Sequence, residues 1–125
     1  MFEALFTIAA QVESNEQGQR VFHVTEHGAP ANESAFSSLV AAVYQQGVSH
    51  TLQAGDILTI RIHLDLPPRE IERIVRLQED GQFEGDGMQE PIPDLLPMVS
   101  SMYEQFLQQV DPGDVFTVTF RVQRP

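Results

Sequence analysis

An internal repeat is the feature of this sequence that most constrains its fold. Residues 52–60 read Leu-Gln-Ala-Gly-Asp-Ile-Leu-Thr-Ile, and residues 110–118 repeat the pattern as Val-Asp-Pro-Gly-Asp-Val-Phe-Thr-Val. Each copy places Gly-Asp at a turn that runs into alternating apolar residues, the pattern of a strand with one buried face. Because Gly18-Gln19 returns in the same way as Gly81-Gln82, the sequence predicts one supersecondary unit present twice, in residues 1–66 and 67–125.

The first half predicts the order strand, strand, helix, strand. In residues 2–13 every even position is apolar, so we expect a half-buried strand that turns into a second strand at residues 20–26. Asn32 or Ser34 can cap a helix with apolar residues at helical spacing, and Gly47 is expected to end it. The closing strand has an apolar face formed by Leu58, Ile60, Ile62 and Leu64.

The second half repeats this order after the short joint Leu66-Pro67-Pro68. Its first residues could open a helix, but the repeat and the Asp80-Gly81 turn favour a hairpin of residues 70–78 and 82–88. Asp94 is expected to cap the second helix, with Pro97 in its first turn, where a missing N–H costs little. The predicted inward residues are Met98, Met102, Phe106 and Val110 on the helix and Phe116, Val118, Phe120 and Val122 on the last strand.

Two tandem strand-strand-helix-strand repeats predict an α+β fold, with each helix across one face of a small sheet. The closing segments, Gly55 to Leu64 and Gly113 to Arg124, resemble the glycine-containing turn and final strand of ubiquitin-like and sulfur-carrier proteins. The resemblance implies two β-grasp units, in each of which the last strand returns beside the first. It also implies the folded part of a ubiquitin-like modifier without its glycine tail. A single six-stranded sheet with two helices, built from the same repeat, is the alternative arrangement.

Charge and composition narrow the classes of function. The chain has 18 acidic and 7 basic residues, and its net charge of −11 opposes direct binding to nucleic acid or to an anionic membrane. No apolar run approaches the roughly 20 residues that cross a bilayer, and residues 1–5 lack the basic region of a secretory signal, so we expect a cytoplasmic protein. Because there is no cysteine and no catalytic or phosphate-binding motif, we expect neither an enzyme nor a cofactor.

Two groups of residues are candidates for a partner-binding surface. Arg61, His63 and Asp65 alternate along the outer face of a predicted strand, where they could form a binding patch or a pH-sensitive one. The second group is an acidic hairpin in a segment free of basic residues, and it could dock onto a basic partner: Glu79, Asp80, Glu84, Asp86 and Glu90. A calcium loop set from Asp80 would need a carboxylate where Pro91 stands, so no metal is expected. An ordinary solvated surface is the alternative for both groups.

The sequence therefore predicts a non-enzymatic protein–protein interaction module with two ubiquitin-like repeats and a partner that has a basic surface. The alternative function is an acidic inhibitor that mimics nucleic acid and blocks the basic groove of a partner enzyme. A homodimer is a further alternative, because the exposed edges of a small sheet can pair between copies.

Overall fold

The computed structural model describes residues 2–24, 30–65, 69–85 and 87–125. Two helices and seven strands make up the fold, and the first helix continues as a π-helical turn, Tyr44–Val48, and a last turn, Ser49–Thr51. This content confirms the predicted α+β class. In chain order the elements are β1 (Phe2–Ser14), β2 (Arg20–Val24), β3 (Pro30–Ala31), α1 (Glu33–Val43), β4 (Ile57–Leu64), β5 (Arg69–Leu77), β6 (Phe83–Gly85), α2 (Leu96–Leu107) and β7 (Val115–Arg124).

All seven strands form one sheet, in the order β3-β2-β1-β7-β4-β5-β6, and each neighbouring pair is antiparallel. Apart from the two-residue β3, this is the single-sheet arrangement with two helices. The closing strand of each half lies beside the first strand of the other half, since β7 pairs with β1 and β4 pairs with β5.

This strand order differs from the β-grasp order that the resemblance implied. β7 separates β1 from β4, and the described strands include no parallel pair. The physical reason lies in β4 and β7, whose inward residues are all apolar. At the centre of the sheet both strands have their hydrogen-bonding edges covered, which leaves shorter or more polar strands at the rim.

Apart from β3, the arrangement of strands is the same on both sides of the central β4–β7 pair, where a hairpin flanks each closing strand. At its middle Arg61 faces Thr119, and these two positions are themselves separated by the repeat offset of 58 residues. The corner glycines also match, because Gly55 and Gly113 have φ angles of 91° and 99°. Only a glycine adopts this left-handed conformation without strain, which accounts for glycine at both corners.

The register of the first strands also differs between the two halves. Ala10 pairs with Phe116, whereas Val75 pairs with Leu58, so Val75 corresponds in space to Ala10. The match of Gly18-Gln19 with Gly81-Gln82 would instead align Val75 with Val12. A shift of two residues keeps every side chain on its face of the sheet, because side chains alternate with a period of two. The β1–β2 hairpin therefore extends two residues further from the sheet centre than the β5–β6 hairpin does.

Both helices pack on the same face of the sheet and enclose one core. The predicted inward residues of β4 and β7 are all fully buried. An aromatic cluster joins the halves: the Phe22 and Phe36 rings stack at 4.7 Å between centroids, and the Tyr103 and Phe116 rings meet edge to face at 5.5 Å. Phe36 also contacts Phe116, at 5.9 Å. Residues 1–66 and 67–125 thus share a core.

The predicted helix start is confirmed, but the predicted helix end is wrong. Asn32 caps α1 by accepting a hydrogen bond from the N–H of Ala35 at 2.8 Å. Gly47 does not end the helix; it lies in the π-helical turn, where a Cβ atom would come within 2.8 Å of Cε1 of Phe6. Close packing against a strand, and not a helix cap, is the reason for glycine here.

The second half follows its predicted elements closely. The hairpin of β5 and β6 is observed where the sequence favoured it over a helix, and Asp94 accepts a hydrogen bond from the N–H of Leu96 at the start of α2. The predicted helix stripe is only partly correct. Met98 is half-buried, Val99 and Tyr103 are buried instead, and the buried Val110 follows the end of α2 at Leu107. The predicted joint at residues 66–68, the last residues of the predicted second strand and Asp86 lie outside the described residues.

Candidate interaction surface

One face of the sheet is covered by helices, and the other, which we call the open face, has no described element packed on it. Its centre is rich in threonine from β1, β7 and β4, and among the described residues it carries two exposed large aliphatic side chains, Leu5 (63% exposed) and Ile74 (52% exposed). The described charged residues of this face are Glu3, Glu13, Asp65, Glu70, Glu72, Glu84, Arg61, Arg76 and Arg121, together with His23 and His63.

Arg61 lies at the centre of the open face and is held by two glutamates of β5. Its Nε and Nη2 atoms donate to Oε2 of Glu72 at 3.0 and 2.7 Å, and Nε lies 3.0 Å from Oε1 of Glu70. These contacts raise the pKa of Arg61, first through the hydrogen bond to Glu72 and then through the charge of Glu70. An anionic partner would have to displace two carboxylates to reach this guanidinium.

The two histidines of the open face each contact a carboxylate on the same face. His63 Nε2 lies 3.0 Å from Oδ1 of Asp65, and His23 Nε2 lies 2.8 Å from Oε2 of Glu13. Arg61, His63 and Asp65 therefore share one face, as the alternation of their strand predicted. What the sequence did not show is that each belongs to an ion pair or hydrogen-bonded pair on that face.

The acidic hairpin contributes to the open face through Glu84. This residue lies opposite Arg76 in the β5–β6 register, and its carboxylate accepts a hydrogen bond from the side chain of Gln78. Asp80 has a turn-forming role, because its Oδ1 accepts a hydrogen bond from the N–H of Gln82 at 3.0 Å. Glu79 and Glu90 are exposed outside the strands, and Asp86 lies outside the described residues.

Leu5 belongs to this surface and was missed by the sequence analysis. Residues 2–13 place Leu5 on the face that also carries Glu3 and Thr7, so the alternation itself exposes it. A leucine on the polar face of an otherwise regular strand was the signal that could have identified it. Leu5, Arg121, Thr59 and Ile74 form one row across the face, in register on four strands.

Two carboxylates are buried at the corners of the repeat, away from the open face. Asp56 accepts from the N–H of Gln53 at 2.8 Å, and Asp114 accepts from the N–H of Asp111 at 2.9 Å. Asp56 also receives two hydrogen bonds from Arg124, at 2.8 and 3.0 Å. The Arg124 guanidinium holds the pKa of Asp56 below its usual range, against the opposing effect of burial. This pair ties the end of β7 to the first half of the chain.

Two tyrosines on the helix side of the sheet also have shifted pKa values. Burial and the neighbouring Asp94 carboxylate raise the pKa of Tyr44 to about 12. Burial also raises the pKa of Tyr103, whose hydroxyl has no hydrogen-bond partner among the described residues. Both phenols stay protonated near neutral pH, so neither can act there as a general base.

Two further findings concern metals and membranes. Within residues 2–24, 30–65, 69–85 and 87–125, no three or more acidic or histidine side chains are grouped so that they could hold a metal ion. The helices of the same residues are all too short or too polar to span a bilayer.

Comparison with known proteins found no family model that matches the chain, and no significant match to a curated protein or to a solved structure.

Proposed function

We propose that this protein acts without catalysis, by binding another protein on the open face of its sheet. The observation that carries the proposal is that this face is uncovered and includes four of the predicted binding residues, Arg61, His63, Asp65 and Glu84. The same face carries the exposed Leu5 and Ile74, which offer a partner two apolar contact points within a polar surround.

The charges of the open face favour a basic partner. Its described residues include six carboxylates and three arginines. Two of the arginines, Arg61 and Arg121, are already bound to glutamates. The net charge of −11 adds a long-range attraction that speeds encounter with a basic protein and weakens as salt is added.

The proposal includes the origin of the surface in two ββαβ repeats, residues 1–66 and 67–125. Matching strand order about the β4–β7 pair supports it, as do matching corners. The N–H of Asn15 donates to Gln19 at 2.9 Å in one hairpin turn, and the N–H of Gln78 donates to Gln82 at 2.8 Å in the other. The more specific proposal is that the protein is the folded part of a ubiquitin-like modifier. Its support is the sequence resemblance alone.

The test is affinity capture from a cell lysate at low and at moderate salt, with matched charge-reversal variants. The double variant Glu70→Lys with Glu84→Lys changes the open face. The control, Glu16→Lys with Glu104→Lys, changes exposed residues of the first hairpin turn and of α2. Both variants alter the net charge by the same amount, so a difference between them reports on the face and not on the overall charge.

We expect a specific partner that the open-face variant loses by at least tenfold in affinity and that the control variant retains. Equal loss in both variants would contradict the proposed face. Recovery of activating or conjugating enzymes would support the modifier form. Recovery of a nucleic-acid-handling enzyme through its basic groove would instead support the alternative, an acidic mimic of nucleic acid.

A further inference from the structure

The sheet has two partly unpaired edges, one in each half. β1 pairs with β2 only over residues 10–14, so among the described residues nothing pairs with the outer edge of residues 2–9. In the same way β5 pairs with β6 only over residues 75–77, which leaves the outer edge of residues 69–74 without a described partner. Unpaired N–H and C=O groups on a strand edge are a template for another strand.

The two edges differ in how well they are protected against such pairing. Four of the six residues 69–74 are charged, whereas Glu3 is the one charged residue among residues 2–9. Charged side chains discourage edge-to-edge association, so the β5 edge is protected against pairing with another strand and the β1 edge is not. Glu3 is itself ion-paired, because its Oε2 lies 3.2 Å from Nη2 of Arg121.

The hydrogen-bond pattern shows which residues of β1 are directed to the unpaired edge. The N–H of Val12 donates to Asp114 at 2.8 Å, and the C=O of Val12 accepts from Gly113 at 2.8 Å, so Val12 faces β7. Because the direction alternates along an antiparallel strand, the even residues of β1 bond to β7. The N–H and C=O groups of Glu3, Leu5 and Thr7 therefore point to the unpaired edge.

The strand is also self-complementary about Leu5. Reading outward from Leu5 in both directions, Ala4 and Phe6 are apolar, Glu3 and Thr7 are polar, and the next residue on each side is again apolar. Antiparallel pairing with a second copy, centred on Leu5, would place Ala4 opposite Phe6, a small side chain against a large one. Glu3 would lie opposite Thr7, so no carboxylate would face another.

We propose that this protein forms a two-fold homodimer in which β1 pairs with β1 of a second copy, centred on Leu5. An odd-numbered centre makes Leu5 a hydrogen-bonded pair with its counterpart, and Glu3 a hydrogen-bonded pair with Thr7 of the second copy. The pairing covers Leu5 and the 39%-exposed Phe2, which explains two of the exposed large apolar side chains. The contact is isologous, so it closes at two copies, and the charged β5 edge does not extend it.

The first test is the solution mass, measured by sedimentation equilibrium over a range of concentrations. The native chain is expected at twice its 14.0 kDa, and Leu5→Glu at the monomer mass, because two carboxylates would meet at the two-fold axis. Ile74→Glu is the matched control: Ile74 is an exposed aliphatic residue of the same row on the far side of the open face, and the variant should stay dimeric. Circular dichroism checks that both variants fold.

The second test establishes the register. Leu5→Lys should also be monomeric, whereas an equal mixture of Leu5→Lys and Leu5→Glu should recover the dimer, because opposite charges then face one another at the axis. A native chain that stays monomeric at millimolar concentration would overturn the proposal, as would a dimer that Leu5→Glu leaves intact. Dissociation by Ile74→Glu as well would assign the contact to the open face and not to the β1 edge.

Discussion

At the scale of single residues, the two buried aspartates at the Gly-Asp corners differ in their contacts. Asp56 and Asp114 occupy the same corner of their units and accept the same backbone hydrogen bond from the residue three positions earlier. Among the described residues only Asp56 is also bound by an arginine, Arg124, which donates to Thr51 C=O at 3.1 Å and lies over the Phe2 ring at 4.3 Å. Asp114 is therefore an internal control for the contribution that Arg124 makes at Asp56.

We predict that Asp56→Asn lowers the free energy of unfolding by about 1–2 kcal/mol, since the partly exposed Arg124 loses its charged hydrogen-bond partner. Asp114→Asn keeps the same turn and should cost less than about 1 kcal/mol, the net worth of one ordinary hydrogen bond. Urea denaturation of the native chain and the two variants measures both values. Equal costs for the two substitutions would show that Arg124 adds nothing to the corner.

The Asp56–Arg124 pair should also make the stability of the protein depend on pH. The pKa of Asp56 is lowered in the folded protein by the hydrogen bond from Arg124, whereas an unfolded aspartate has a pKa of about 3.9. The stability from this group is therefore complete above about pH 4 and is lost as the pH falls through the lowered folded pKa. Thermal unfolding between pH 7 and pH 2 should show the difference between the native chain and Asp56→Asn shrinking only in acid. A constant difference over this range would contradict the assignment.

At the scale of elements, the clearest disagreement between sequence and structure is the end of the first helix. A glycine after a run of helical spacing is a good signal of a helix end, but Gly47 lies within the helix and its φ angle is not positive. The helix passes over β1 so closely that a methyl group at this position would meet the Phe6 ring. A contact between residues that far apart in the sequence leaves no local signal.

Whether Gly47→Ala lowers or raises the free energy of unfolding should depend on the Phe6 ring. Alanine is the better helix former by about 1 kcal/mol, but overpacking against Phe6 should cost about 1–3 kcal/mol, so the native chain should lose stability. In a Phe6→Ala background the clash is gone, and the same substitution should be neutral or stabilising by up to about 1 kcal/mol. Chemical denaturation of the four proteins completes the double-mutant cycle. Additive effects would mean that the ring does not limit this position.

At the scale of the whole molecule, the halves are interleaved. Each closing strand lies between strands of the other half's unit, and the aromatic cluster takes Phe22 and Phe36 from residues 1–66 and Tyr103 and Phe116 from residues 67–125. A segment of about 60 residues is marginal alone even when its strands are contiguous. In residues 1–66, β1 and β4 are not neighbours, so the fragment lacks the strand that joins them.

We therefore predict that residues 1–66 and residues 67–125, prepared separately, are largely unfolded, and that an equimolar mixture recovers the circular dichroism of the intact chain. The intact chain should unfold in a single cooperative transition, because the core is shared. Cooperative unfolding of either fragment by itself would show instead that the halves are independent units.

The sequence by itself predicted the α+β class, the two hairpins, the helix starts near Asn32 and Asp94, the inward faces of β4 and β7 and the turns at the corner glycines, because each depends on residues close together in the chain. It also placed Arg61, His63 and Asp65 on one face, since strand side chains alternate. Only the tertiary structure decided that each closing strand pairs with the opposite half, that Gly47 lies under Phe6, and that Glu70 and Glu72 hold Arg61. These features depend on which strands pair with one another in the sheet. Many strand orders are compatible with the same local sequence pattern.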